Sequence, residues 1–90
     1  MFKIILTESY KKRSVKFLKK HGSITSQYKK TVKLLTLNPF HNSLRTHKLK
    51  GNLSDCYSVS INMNYRIIIY LKIIDNQIVL IDIGTHDEVY

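Results

Sequence analysis

The sequence predicts a single α+β domain, residues 1–90, in which an N-terminal helical hairpin packs on a twisted, mainly antiparallel sheet of four or five strands. Three observations support this fold class. Ninety residues are enough for one small domain but not two. Apolar residues recur with helical spacing between residues 10 and 35. From residue 56 onward, apolar strands alternate with short polar turns, which is typical of an antiparallel sheet.

The chain is predicted to begin with a strand and a first amphipathic helix. Residues 2–7 form the strand, and Thr7 or Ser9 can cap the helix that follows. Gly22 ends this helix. The positions expected to face the core are Tyr10, Ser14, Phe17, Leu18 and His21.

A second helix is predicted from Ser23 or Thr25 to the residue before Asn38-Pro39, because a residue that precedes proline disfavours helical geometry. Its core-facing positions are Ile24, Tyr28, Val32 and Leu35, and its other face carries Lys29, Lys30 and Lys33. We therefore expect a hairpin that is apolar inside and basic outside.

The remaining strands are predicted in the second half of the chain. Residues 46–49 can form an edge strand, and residues 56–61 alternate, with serines on a side that we expect to face water. Residues 65–74 are almost continuously apolar, which indicates a central strand. Asp75-Asn76 then turns the chain into a strand over residues 78–83.

The composition of the chain indicates the cellular compartment in which we expect the protein and the partners that we do not expect. A single cysteine, Cys56, excludes an internal disulfide bond and fits a reducing cytoplasm. No apolar run approaches the roughly 18 residues that span a bilayer. We expect a cytoplasmic protein with no membrane partner, no bound metal and no small-molecule cofactor.

Charge is distributed unevenly. Residues 1–50 contain thirteen Lys and Arg and one acid, whereas residues 51–90 contain two Lys and Arg and five acids. The basic half is typical of proteins that contact nucleic acid or the ribosome. The alternative is that these lysines only solvate the outer faces of the two helices.

A histidine, His86, stands just past the end of the last predicted strand, after Gly84 and Thr85, and strand ends commonly carry catalytic groups. Histidine exchanges protons near neutral pH, so on a basic chain it indicates cleavage of RNA, which needs no metal. Arg66 is the candidate clamp for the phosphate. The alternatives are a solvated His86, and an ion pair between Arg66 and Asp82 or Asp87.

Three further residues are candidates for RNA binding. Lys48 and Lys50, two apart on an extended segment, would point the same way and could contact successive phosphates. They could equally be solvated edge-strand lysines. Tyr90 could stack on a base or pack against the sheet.

Four segments carry a resemblance to a known family: HKLKG at residues 47–51, DCYSV at 55–59, YRIIIY at 65–70 and GTHDEVY at 84–90. With the predicted order of elements, the chain resembles the RelE/ParE superfamily of bacterial toxin-antitoxin toxins. The closing Gly-Thr-His is similar to the YafQ-type branch of ribosome-dependent mRNA interferases. The resemblance implies cleavage of mRNA in the ribosomal decoding site and neutralisation by a cognate antitoxin.

The resemblance also implies site residues. His86 stands where the YafQ-type branch has its principal catalytic histidine, His47 matches the histidine before the L-K-G segment, and Arg66 matches the arginine of the Tyr-Arg pair. The chain departs from the branch at Ser58, Ser60 and Asn62, where YafQ-like toxins carry further acidic and histidine residues.

Two other functions are compatible with the same pattern. A ParE-like inhibitor of DNA gyrase shares the fold but has no use for His86 as a proton carrier. A catalytically silent relative would only bind the antitoxin. We also expect antitoxin binding to weaken as salt rises, because an acidic segment would face a basic surface.

Overall fold

The computed structural model describes residues 1–51 and 55–85 as two helices packed on a five-stranded sheet. The helices are α1 (Glu8–Lys20) and α2 (Thr25–Leu37). The strands are β1 (Lys3–Leu6), β2 (His47–Lys48), β3 (Cys56–Ser60), β4 (Tyr65–Lys72) and β5 (Gln77–Thr85). Their order in the sheet is β1-β5-β4-β3-β2, with β1 parallel to β5 and all other neighbours antiparallel. The predicted α+β fold class is confirmed.

The two helices begin and end where the sequence predicts. The hydroxyl of Thr7 accepts a hydrogen bond of 3.0 Å from the backbone N–H of Tyr10, which satisfies one of the unpaired donors at the start of α1. At the other end, α2 stops at Leu37, and Asn38 is already extended before Pro39. A short 3-10 turn, Gly22–Ile24, connects the helices.

The hydrophobic core lies between the helices and one face of the sheet. Tyr10, buried completely, donates or accepts a hydrogen bond of 2.8 Å with the hydroxyl of Tyr28. Burial, followed by this hydrogen bond, raises the pKa of Tyr10 far above its ordinary value. The sheet contributes alternate residues to the core, namely Val59, Ile61, Ile67, Ile69, Leu71, Ile78, Leu80 and Ile83.

One predicted strand is shorter than expected. We expected residues 65–74 to be strand throughout, but β4 ends at Lys72. Ile73 and Ile74 lie in the following turn and are 65% and 100% exposed. Asn76 turns the chain with a φ of 55°, a left-handed conformation that asparagine tolerates better than a β-branched residue. The predicted strand was two residues too long because a run of apolar residues does not show where a turn begins.

Strand β5 changes its surroundings half-way along. Its first residues, Gln77 to Leu80, pair with β1 on one side and with β4 on the other. A register shift then places Ile81 as an extra residue against β4, between the pairs Ile69–Leu80 and Ile68–Asp82. Beyond this bulge, β5 continues beside α1. Within residues 1–51 and 55–85, no helix is long and apolar enough to cross a membrane.

Candidate active site on the second face of the sheet

The face of the sheet that points away from the helical core brings several candidate residues together. Residues that are partners across antiparallel strands point to the same face. His47 of β2 is the partner of Ser58 on β3, and Ser58 is the partner of Ile68 on β4. In the next row, Arg66 lies between Ser60 and Gly84. We call this surface, defined by His47, Ser58, Ser60, Arg66 and Gly84, the second face.

Arg66 has the chemical features of an anion-binding residue. Its side chain is half-buried, and its Nε is buried with no hydrogen-bond partner. Gly84, its partner on β5, has no side chain that could cover the guanidinium. The expected alternative, an ion pair with Asp82, is wrong: Asp82 instead contacts Arg13 of α1, with Nη1 and Oδ1 3.0 Å apart. Asp87 lies outside the described residues.

Ser58 is the second buried polar group without a partner. It is completely buried, and its Oγ makes no hydrogen bond. We expected the serine side of this strand to face water, which is wrong for Ser58 and for Ser60, which is only 7% exposed. The cross-strand partner of Ser58, Ile68, is also only 2% exposed, so this part of the second face is shielded from water. Ser60 differs, because its hydroxyl donates to the carbonyl oxygen of Asn62 at 2.5 Å.

The two residues with unpartnered atoms occupy neighbouring positions of the sheet. Ser58 and Arg66 are diagonal neighbours on adjacent strands, a relation that places their positions roughly 7–8 Å apart. Leaving a buried donor or acceptor unpaired costs about 1–3 kcal/mol, so such groups call for an explanation. Because the guanidinium of Arg66 is only half-buried, a bound anion could reach its exposed part and supply hydrogen bonds that the protein does not.

His47 stands at the edge of the same face. Its ring is exposed, and Nδ1 lies 3.2 Å from the carbonyl oxygen of Arg45. In the tautomer that makes this bond, Nδ1 donates its proton and Nε2 is the basic nitrogen. Two strand spacings and two residues separate His47 from Arg66, or about 12 Å between Cα atoms.

The structure does not bring Lys48 to this face. Lys48 is the partner of Tyr57, which packs against the core, so Lys48 points to the helical side while His47 points to the second face. Strand β2 ends at Lys48, and Lys50 lies beyond it, next to Gly51 with a φ of +70°. The role of both lysines in RNA binding stays a prediction.

His86 and Tyr90 lie outside the described residues, and their roles stay predictions. The described chain ends at Thr85, directly after Gly84, the cross-strand partner of Arg66.

A sequence model of the family described as "Bacterial toxin of type II toxin-antitoxin system, YafQ" matches residues 2–90. The chain belongs to the YafQ toxin family. The predicted resemblance to RelE/ParE toxins of the YafQ type is confirmed, and it covers nearly every residue. A comparison with individual curated proteins finds no significant match.

Solved structures of toxins share this fold. A metal-bound toxin from Helicobacter pylori is 25% identical, with a TM-score of 0.80, and each chain is covered in full. YafQ from E. coli strain BL21(DE3) is 18% identical, with a TM-score of 0.81 over 100% of this chain and 99% of the other. YoeB, in a YoeB-YefM complex from Staphylococcus aureus, is 21% identical, with a TM-score of 0.75 over 96% and 98%.

Two other residues of this YafQ-family chain differ from simple surface groups. His21, which helical spacing places on the core-facing side of α1, is half-buried: Nδ1 lies 3.1 Å from the hydroxyl of Tyr65, and the ring contacts Phe17. Cys56 is a free cysteine, and burial, followed by the nearby Asp55, raises the pKa of its thiol, so the unreactive thiol form dominates at neutral pH. Within the described ranges, no group of three or more His, Cys, Asp or Glu could hold a metal ion.

Sequence reasoning did not select Ser58 as a site residue. It noted the position only as a departure from the YafQ type. The available signal was its alternation with Tyr57 and Val59, which places it on the face of Arg66. Burial without a hydrogen-bond partner is a property of three-dimensional packing, and the sequence carries no sign of it.

Proposed function

We propose that this toxin is an endoribonuclease of the mRNA interferase type, which cleaves mRNA on the ribosome without a metal ion and arrests translation in the cytoplasm. The main support is the unpartnered Nε of Arg66, which lies on the same face as the buried hydroxyl of Ser58 and as His47. This arrangement suits a phosphodiester group. The basic balance of the chain, +9 at neutral pH, favours a polyanionic substrate.

The proposed reaction is an internal transesterification. The ribose 2′-oxygen attacks the adjacent phosphorus while a base removes its proton. The bond from phosphorus to the 5′-oxygen breaks, and an acid protonates that oxygen. The products are a 2′,3′-cyclic phosphate and a 5′-hydroxyl. Each proton transfer contributes about 10²–10⁴-fold to the rate when the pKa of the group lies near the working pH, as it does for an ordinary histidine.

We assign these roles to three residues. His86 and His47 are the proton-transfer pair, one accepting the 2′ proton and the other donating to the 5′-oxygen. Arg66 stabilises the negative charge that develops on the phosphate, because a fixed cation is already in place when the charge forms.

The remaining predicted contacts position the RNA. Lys48 and Lys50 would bind phosphates that flank the site along the edge of the sheet, and Tyr90 would stack on a base. Because Lys48 points to the helical side, the RNA would pass around the edge formed by β2 rather than across the second face alone.

The proposal includes a cognate antitoxin as partner. The YafQ family consists of toxins from toxin-antitoxin systems, and YoeB from Staphylococcus aureus forms a complex with YefM. An acidic antitoxin segment would complement the basic N-terminal half of this chain.

The decisive experiment expresses the wild type, His86→Ala and the control His41→Ala without antitoxin. His41 is an exposed histidine whose Nδ1 accepts a hydrogen bond from the N–H of Ser43. Primer extension should reveal discrete in-frame cuts for the wild type and His41→Ala, and these cuts should vanish when translation is blocked. His86→Ala should cleave about 10²–10⁴-fold more slowly. Undiminished toxicity of His86→Ala, with loss of gyrase supercoiling activity, would instead identify a ParE-like inhibitor.

A further inference from the structure

Arg45, two residues before His47, has a backbone conformation that L-amino acids rarely adopt. Its φ and ψ are 48° and 43°, in the left-handed region. Among the described residues, the only other non-glycine residue with a positive φ is Asn76. Asparagine tolerates this region, whereas an arginine side chain has no property that favours it. The conformation of Arg45 is therefore imposed by the structure around it.

The chain is anchored on both sides of Arg45. On one side, Leu44 is 1% exposed and belongs to the hydrophobic core. On the other side, the hydroxyl of Thr46 donates to the carbonyl oxygen of Pro39 at 2.5 Å, and β2 is already paired with β3. The left-handed residue thus connects a side chain that is fixed in the core to a strand whose register is fixed by its neighbour.

Both backbone groups of Arg45 make hydrogen bonds. Its N–H donates to the carbonyl oxygen of Asn42 at 3.2 Å, which closes a short 3-10 turn. Its carbonyl oxygen lies 3.2 Å from Nδ1 of His47. The guanidinium differs, because the side chain is exposed and takes part in neither of the two ion pairs between described residues. The backbone is therefore the part of Arg45 that contacts the proposed site.

The contact with the carbonyl determines which nitrogen of His47 carries a proton. A carbonyl oxygen only accepts hydrogen bonds, so Nδ1 is the donor in this bond. In the neutral ring, the lone pair is then on Nε2, the nitrogen farther from the backbone. In the charged ring, Nε2 carries the proton that can be transferred.

We propose that Arg45 is a positioning residue for the proposed reaction and that it acts through its backbone. Its left-handed turn holds the carbonyl oxygen against Nδ1 of His47, which fixes the tautomer and the orientation of the ring. Nε2 is thereby presented to the RNA, whether His47 accepts or donates a proton. This inference rests on the proposed function, which assigns His47 to proton transfer.

Two substitutions at the same position separate the backbone from the side chain. Arg45→Gly and Arg45→Val both remove the guanidinium, so an effect of its charge is common to both. Glycine adopts the left-handed region without strain, whereas the β-branched valine is strongly disfavoured there. The control Asn76→Val introduces the same strain at a φ of 55° in the β4–β5 turn, which contains none of the proposed site residues.

The first measurement is the tautomer of His47. Long-range ¹H–¹⁵N spectra of the purified toxin at about pH 8, above the ordinary pKa of histidine, show which ring nitrogen carries the proton. His47→Ala assigns the signals. The proton should be on Nδ1 in the wild type, in Arg45→Gly and in Asn76→Val, and should be distributed over both nitrogens in Arg45→Val. The wild-type spectrum tests the tautomer without any variant at position 45.

The second measurement is cleavage of ribosome-bound mRNA, with kcat and KM determined separately. The kcat of Arg45→Val should be at least about tenfold below that of Arg45→Gly, because a displaced ring misaligns the proton transfer. The KM should be equal in these two variants, because both lack the guanidinium. Asn76→Val should retain the kcat of the wild type within about twofold. Thermal unfolding shows whether each variant is folded at the assay temperature.

Three results would overturn the inference. A proton on Nε2 in the wild type would mean that the carbonyl of Arg45 does not fix the ring. Equal tautomers and equal kcat in Arg45→Gly and Arg45→Val would mean that the left-handed turn is not required. A changed tautomer with the same kcat would mean that the orientation of His47 has no part in the reaction. Absence of mRNA cleavage by the wild type would instead contradict the proposed function, and the spectra would still decide the tautomer.

Discussion

The two faces of the central sheet differ in how their polar groups are satisfied. On the helical side, alternate strand residues pack into one apolar core, and the buried hydroxyl of Tyr10 is paired with that of Tyr28. On the second face, Ser58 Oγ and Arg66 Nε are buried without partners. One face is thus satisfied by folding alone, whereas the other retains unpaired polar groups of the kind a ligand satisfies. Buried polar atoms without hydrogen-bond partners are rare in folded proteins, and functional sites are where they are expected.

The largest effect is expected from Arg66 on the second face, whose substitution should lower the cleavage rate and leave the stability of the fold nearly unchanged. Arg66→Gln should reduce mRNA cleavage by about 10²–10³-fold, because it removes the charge proposed to stabilise the phosphate. The free energy of unfolding should change by less than about 1 kcal/mol, because the buried Nε has no hydrogen bond to lose. Cleavage assays and urea denaturation measure the two quantities. Lys72→Gln, an exposed cation at the far end of β4, is the control and should leave both unchanged.

Two neighbouring isoleucines allow a direct comparison of packing on the helical side and on the second face of the sheet. Ile69 is completely buried in the core, and Ile68 is 2% exposed but lies outside the core cluster. Ile69→Ala should lower the free energy of unfolding by about 3–4 kcal/mol, since the close-packed core cannot fill the cavity. Ile68→Ala should cost only about 2 kcal/mol. Equal costs from denaturant titration would mean that the second face is packed as tightly as the core.

The buried tyrosine pair makes the helical side sensitive to alkali. Because the pKa of Tyr10 is raised in the folded protein, the folded state stays protonated above the pH at which the unfolded chain ionises, near 10. The contribution of this residue is present below that pH, and it falls by about 1.4 kcal/mol for each further pH unit. Denaturation of the wild type and Tyr10→Phe between pH 9 and about 11.5 checks this prediction. The variant should lose stability less steeply, and identical slopes would contradict the assignment.

The smallest effect is expected from two serines of β3. Ser58→Ala removes a buried hydroxyl without a partner, so the free energy of unfolding should rise by about 1 kcal/mol. Ser60→Ala removes the donor of the bond to Asn62 and should lower stability by about 1 kcal/mol. A higher melting temperature for Ser58→Ala and a lower one for Ser60→Ala would support this difference between the two serines. A loss of stability in Ser58→Ala would show that its hydroxyl is satisfied in solution.

Most of the fold could be predicted from the sequence, because local signals coincide with the elements. Thr7, Gly22 and Pro39 mark the helix ends, and alternation in residues 56–61 identifies which side of β3 faces the core. The end of β4 was missed at Ile73 and Ile74, where isoleucine gives the same signal in a strand and in an exposed turn. The bulge at Ile81 has no local sequence signature either, since it depends on the pairing of two strands.

The candidate site was only partly predictable. The Tyr-Arg pair and the histidines follow from motif resemblance, and register brings His47 and Arg66 to one face. Burial of Ser58, the pairing of Arg13 with Asp82 and the opposite direction of Lys48 all depend on contacts between residues distant in sequence. Composition and spacing do not specify such contacts.

The parallel pairing of β1 with β5 has a consequence for synthesis of the protein. Lys3 is the partner of Gln77, so the first strand acquires its neighbour only after most of the chain has been translated. Arg66 acquires its partner Gly84 later still. A nascent chain that has not reached residue 77 therefore has no partner for its first strand, and one that has not reached residue 84 lacks the neighbour of Arg66, so the proposed site can form only near the end of translation.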